Sequence, residues 1–284
     1  MASRLAKLNP HPRDNKITFM EEGHQYTIDG MTEHPISVTT LIHEFFPKFD
    51  ADTVIDKMMK STNWPQSKYY GKTKDEIKEQ WETDRDNSAK LGTEMHRSLE
   101  LFMNEEPQDQ VAWLQHFVTT KTVPANLPQT KEFTLFMHFW RDLQEYNSNF
   151  KPYRTEWIVY DEAKRLAGSI DMTLANDQGQ ILILDWKRSK ELKKENRYQS
   201  GLKCLKHLAD CNYSHYSIQL NCYRRLLQTL YGKTVIGMYL VILHPNNDNY
   251  MFVPVPVMEK EVGEMFAHLP MTVKHETPKN KYDE

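Results

Sequence analysis

Hydrophobic and polar positions change rhythm twice along this chain. Residues 17–19 and 25–28 alternate apolar and polar side chains on either side of a turn-prone Glu-Glu-Gly, which predicts a hairpin. Thr39 starts a short helix that stops at Pro47, and a second helix is expected over 52–60. After the loop 63–72, Thr73 with Glu76 makes a capping box, and helical periodicity then runs to Met103 with a break expected near Gly92. A Pro-rich connection over roughly 119–129 leads into an amphipathic helix over 130–146. Its Phe133, Phe136, Met137 and Trp140 share one face, a stripe that reads as core packing more readily than as a platform for stacked bases.

The second change falls after residue 150. Segments 153–160, 165–175 and 180–187 are rich in β-branched and aromatic residues, with a turn at Asn-Asp-Gln-Gly, and read as three successive strands. A helix over about 214–231, strands over 234–243 and 249–255, and a last helix near 257–268 follow. The fold class is therefore α/β, a mixed central sheet flanked by helices. Residues 1–150 form a mostly helical part, 151–270 the core and 271–284 a tail expected to be mobile, all within one structural unit; no internal repeat is present.

Composition narrows the function. A net charge of −3 argues against coating nucleic acid through global positive charge, and 39% hydrophobic residues suffice for an ordinary core. One basic patch stands out: between 187 and 206 eight basic residues face only two acidic ones. No run approaches the roughly 18–20 apolar residues of a membrane span, and no apolar leader opens the chain, so an intracellular site, cytoplasm or nucleus, is expected. The start carries Arg4, Lys7 and Arg13 without an acid, but Pro10 and Pro12 break it, so organelle import is not the expectation. Cys204, Cys211 and Cys222 lack the spacing of a disulfide framework or a zinc ribbon.

The candidate chemistry lies in Ile-Leu-Ile-Leu-Asp-Trp-Lys, 181–187. On a strand Asp185 and Lys187 project to one face and Trp186 to the other. Alone, an Asp-x-Lys pair is usually exposed; here four aliphatic residues precede it, the mark of a strand buried on both faces. The hairpin can bring Asp171 across from Asp185, and two like charges in an apolar sheet are costly unless a cation binds between them. Carboxylates holding one or two hard cations, with a lysine beside them, suit phosphodiester hydrolysis.

Gly-Ser-Ile-Asp (168–171) followed by Leu-Ile-Leu-Asp-Trp-Lys (182–187) resembles the paired motifs of PD-(D/E)XK nucleases. Residues 91–100 (LGTEMHRSLE) look like the GTxxHxxxE helix of the RecB-type exonuclease branch, and 219–223 (QLNCY) like its QxxxY helix. The resemblance implies a restriction-endonuclease-like fold. It also implies His96, Asp171, Asp185 and the Trp186 backbone carbonyl as metal ligands, Lys187 as the catalytic lysine, and Gln219 and Tyr223 as supports for it, with Tyr223 also touching the scissile strand. Glu156 matches the acid that often precedes the motif pair, and either binds a second metal, orients water or pairs with a base. Small Gly92 and Thr93 would let the His96 helix approach the sheet. One or two Mg²⁺ or Mn²⁺ ions are implied, the imidazole favouring Mn²⁺. Arg188, Lys190, Lys193, Lys194 and Arg197 are candidate nucleic-acid contacts. The four-cysteine iron–sulfur cluster of some RecB-like nucleases is not expected from three cysteines confined to 204–222, and no GxxxxGK[ST] phosphate loop is present. The implied activity is an exonuclease on single-stranded or end-containing DNA in repair, recombination or replication, with replication or recombination proteins as partners. The alternatives are a structure-specific endonuclease or RNase of the same fold, or a catalytically inactive nucleic-acid-binding protein.

Overall fold

The computed structural model describes residues 3–23 and 25–270, so the expected tail 271–284 lies outside the described residues. Helix α1 (Arg4–Leu8) precedes the hairpin of β1 (Ile17–Met20) and β2 (Gln25–Ile28), whose register pairs Ile17 with Ile28. A two-residue strand, β3 (Ile36–Ser37), leads into α2 (Val38–His43), where Ser37 caps the helix by accepting from the Thr40 amide. Helix α3 (Ala51–Met59) is followed by α4 (Lys74–Met103), which opens on the expected capping box: the Thr73 amide donates to Glu76 Oε2 at 2.7 Å, and the Glu76 amide to Thr73 Oγ1 at 3.3 Å. α4 continues through Gly92 without the expected break.

Helix α5 (Pro107–Thr120) is absent from the sequence expectation. Only Gln110 and Phe117 of its residues are buried, too sparse a stripe to show as periodicity. Gln110 spends its amide on the end of α4, donating to the carbonyls of Phe102, Met103 and Glu105. The aromatic stripe of α6 (Lys131–Tyr146) is buried, as the packing reading requires.

Strands β4 (Lys151–Asp161), β5 (Leu166–Ala175) and β6 (Gln180–Lys187) follow, then α7 (Asn212–Leu230), β7 (Thr234–Ile242), β8 (Met251–Pro254) and α8 (Glu259–Ala267). The main sheet runs β3-β5-β6-β7-β8, with β4 also paired to β5. β6 and β7 are parallel, as are β3 and β5; the other pairs are antiparallel, so the sheet is mixed. Alternation along β6 divides two cores. Ile181 and Ile183 pack with Leu220, Tyr223 and Leu226 of α7, while Leu182, Leu184 and Trp186 pack with Phe136, Phe139 and Trp140 of α6.

A third nucleus lies apart from both cores. Ile55 of α3 and Ile77 of α4 are fully buried yet join neither cluster. Around them Phe49 contacts Trp81 with ring centroids 5.9 Å apart, and Trp81 Nε1 donates to the Tyr69 hydroxyl at 2.8 Å. Between this tip and the body, residues 82–91 of α4 are exposed on every side.

Candidate active site

The site is built where two strands part. β5 and β6 pair from Met172 with Leu184 outward to the turn, and no further pair follows toward Asp171 and Asp185. On the same edge β5 pairs β3 only at Leu166 and Ala167, so a gap opens at residues 168–171. The Asp171 carboxylate fills the fork: the Trp186 amide donates to its Oδ2 at 2.8 Å, replacing a ladder bond. The sequence expectation that the turn sets Asp171 across from Asp185 is met.

Asp185 is 1% exposed, and among the described residues its Oδ1 accepts no hydrogen bond. The Lys187 ammonium lies 2.7 Å from Oδ2 as a hydrogen-bonded ion pair. Burial, and then the neighbouring Asp171, push the Asp185 carboxyl above its ordinary range against the pull of Lys187. Asp171 is raised for the same leading reason, with Glu156 adding to it and His96 and Lys187 opposing. Lys187 is raised as well: burial would lower it, and the charges of Asp185 and Asp171 outweigh that. Buried carboxylate oxygens short of donors are what a hard divalent cation satisfies, so the residues present fit a metal.

His96 closes the fork from α4. Its Nε2–H donates to the Trp186 carbonyl at 2.9 Å, and Nδ1 lies 3.7 Å from Asp171 and 3.9 Å from Glu156. Burial alone would lower its pKa, but Asp171 and Glu156 raise it to about 9. His96, Glu156 and Asp171 each offer a ligand atom, all within 4.8 Å of one another. Glu156, matched from sequence to the acid that precedes the motif pair, stands inside this group. It holds a left-handed φ of 42° in mid-strand, which costs about 1–3 kcal/mol in a non-glycine residue, and Ser169 Oγ donates to its Oε2 at 2.9 Å. The GTxxH glycine does not serve close packing here: a Cβ on Gly92 would meet nothing within 4 Å, which corrects the expectation that it lets α4 approach the sheet. Glu100, one turn beyond His96, pairs with Arg97 at 2.9 Å.

On the other side, α7 backs the lysine. Lys187 Nζ donates to Gln219 Oε1 at 3.4 Å, and Gln219 Nε2 to the Tyr223 hydroxyl at 3.1 Å, one helical turn on. Tyr216 sets its ring 4.8 Å from the ammonium, a contact the sequence reading missed although Tyr216 and Gln219 are three apart on one face. Gly168 makes room for this row: a Cβ there would sit 2.7 Å from Tyr223 Cε1.

The basic segment after β6 is tied down. Arg188 is held by Glu132 of α6 at 2.7 Å with both side chains 14% exposed, whereas Lys190, Lys193, Lys194 and Arg197 are exposed. Asn196 accepts from the amides of Tyr198 and Gln199, and Asn212 accepts from the Lys193 amide at 2.8 Å, so the loop keeps a defined path beside the site. The thiols of Cys204, Cys211 and Cys222 are free, and burial pushes that of Cys222 up to about 12.

A mixed sheet between helices, with acids and a lysine at the fork of its central strands, is the restriction-endonuclease-like arrangement. The sequence profile of the PD-(D/E)XK nuclease superfamily matches residues 66–279, more than half of the chain, and the chain belongs to that superfamily. Nucleases of that superfamily generally use divalent metals, and His96, Glu156 and Asp171 each offer a ligand atom for one. Among solved structures, the chain is similar to one from Eubacterium rectale designated "Putative exonuclease", at 12% identity and a TM-score of 0.34, covering 62% of this chain and 62% of that one. A second, SSO0001, is 13% identical with a TM-score of 0.23, covering 54% of this chain and 67% of that one. No curated protein matches the chain. Among the described residues no helix is long and apolar enough to cross a membrane.

Proposed function

We propose that the chain is a divalent-metal-dependent deoxyribonuclease of the RecB-like branch, an exonuclease on single-stranded or end-containing DNA in repair, recombination or replication. The observation that carries the reading is Asp185: a buried carboxylate beside the half-buried Asp171, with no donor at Oδ1 among the described residues and the half-buried Lys187 ammonium 2.7 Å from Oδ2. Asp171, Asp185, His96 and the Trp186 carbonyl would hold the metal and Glu156 would share it, a reading supported by ligand atoms of His96, Glu156 and Asp171 lying within 4.8 Å of one another. Bound there, Mg²⁺ or Mn²⁺ would supply Lewis-acid activation of water and neutralise charge on the phosphate.

Lys187 steadies the attacking water and the developing negative charge, and Gln219, Tyr223 and Tyr216 keep its ammonium in place. Lys190, Lys193, Lys194 and Arg197 offer exposed charge to backbone phosphates, contacts that position a strand without reading its sequence. Arg188 anchors the start of that loop against α6.

The test is cleavage of end-labelled linear single and double strands with Mg²⁺, Mn²⁺ or EDTA, beside closed circular single strands. Metal-dependent degradation of the linear forms alone is expected, with Lys187→Ala slower by about a hundredfold or more. Cleaved circles would make the enzyme an endonuclease, preference for RNA strands an RNase, and activity in EDTA or an unimpaired Lys187→Ala would sink the mechanism.

A further inference from the structure

The connection between α3 and α4 is, like the segment after β6, basic within an acidic chain. From residue 60 to 73 it carries three lysines and no acid, interleaved with Trp64, Tyr69 and Tyr70. Lys60, Lys68 and Lys72 are exposed, and Lys68 Nζ lies 4.7 Å from the Tyr69 ring centre. At the middle of the loop a hollow of about 350 Å³ is lined by Met58, Ser61, Asn63, Trp64, Gln66 and Ser67. Trp64 is half-buried and braced edge-on by Tyr70 at 6.0 Å. Among the described residues the side-chain amides of Asn63 and Gln66 have no hydrogen-bond partner, although Asn63 and Gln66 use their backbone amides within the loop. A flat apolar ring, two amide groups and flanking ammonium groups match the face, the edge and the phosphates of a nucleotide.

We propose that this hollow binds a base of single-stranded nucleic acid, with Trp64 stacking on it, Asn63 and Gln66 meeting its edge, and Lys60, Lys68 and Lys72 neutralising neighbouring phosphates. The proposal rests on the reading of the chain as a nuclease acting on single strands, and adds a second contact remote from the cleaved bond. At about 1.5 Å per residue, Trp81 beneath the tip is about 22 Å from His96 along α4. At about 3.4 Å per stacked nucleotide, a strand from the acidic fork reaches the tip after about six nucleotides. The bare stretch of α4 over 82–91 leaves the intervening space open to such a strand.

The consequence is a length threshold. With the full chain in EDTA, fluorescence anisotropy on labelled dT4 and dT12 should show dT12 bound at least tenfold more tightly. Trp64→Ala should weaken dT12 by about tenfold and leave dT4 unchanged, while Trp64→Phe keeps most of the affinity. An abasic 12-mer should bind Trp64→Ala and the unaltered chain equally. Repeating the series with rU12 assigns the sugar, and Trp64 dependence with either strand supports the site. Equal dT12 binding by Trp64→Ala and the unaltered chain would overturn the proposal. So would an equal loss on the abasic strand, which would mean that Trp64 only maintains the tip. Cleavage with Mg²⁺ separates the two readings: if the unaltered chain does not cut dT12 the nuclease reading fails, whereas cutting with no change in KM for Trp64→Ala removes only this site.

Discussion

A methyl group added at Gly168 would sit 2.7 Å from the Tyr223 ring and 3.2 Å from Val38, so neither neighbour leaves it room. Gly168→Ala should therefore destabilise the chain by about 1–3 kcal/mol, the range for overpacking a filled core, lowering Tm by about 2–4 °C per kcal/mol. It should also slow metal-dependent cleavage, because Tyr223 holds Gln219 and Gln219 holds Lys187. Calorimetry with a cleavage assay checks both, and an unchanged Tm would show that the ring moves aside freely. At this scale the sequence was informative where chemistry follows spacing. Asp185 and Lys187 share a face because strands alternate, and Gln219 and Tyr223 meet because helices return after four residues. Glu156 was legible only as an acid in the right strand. Its place beside His96 depends on a left-handed φ of 42°, which nothing in the residue type encodes. Tyr216 and Ser169 were missed for a related reason: their contacts are set by how elements dock, not by any local pattern.

Among the elements, α4 joins tip and site, and Gly92 lies within its interior, directly after the bare stretch, with open space where a side chain would be. Helix propensity predicts that Gly92→Ala stabilises the protein by about 0.5–1 kcal/mol, measured by denaturant unfolding in the absence of nucleic acid. If the glycine serves a strand passing close to the helix, the same variant should raise KM while kcat holds; an unchanged KM would leave it as a tolerated interior glycine. Helix boundaries with capping chemistry were readable within a residue or two, as at Thr73 and Thr130. α5 escaped because its main anchoring residue is a glutamine. Gln110 is buried by hydrogen bonds to the carbonyls ending α4, which hydrophobic periodicity cannot register. Strand β3, two residues long, offers no period at all and is specified by its pairing to Leu166 and Ala167.

Across the whole molecule, three buried nuclei are strung on one sheet and one helix. The two large cores share β6, whose alternate residues belong to opposite faces, so a defect in one is felt in the other. The tip is different: Ile55 and Ile77 bury themselves against each other's helices, and the connection to the body runs along ten solvent-exposed residues, 82–91. A unit held by few buried side chains should open below the global unfolding free energy. Removing Ile77 beyond its β-carbon costs about 2–5 kcal/mol when a buried isoleucine becomes alanine. Ile77→Ala should therefore melt the tip while the sheet stays folded. Hydrogen exchange would show this as lost protection over 51–81 with 151–187 and 212–242 unchanged, and cleavage of strands too short to reach Trp64 would persist. Loss of protection across the sheet as well would mean that α4 transmits the defect and that tip and body fold as one cooperative unit. The proposed separation of strand capture from strand cleavage requires the first outcome, since it needs a tip that can fail without taking the acidic fork with it.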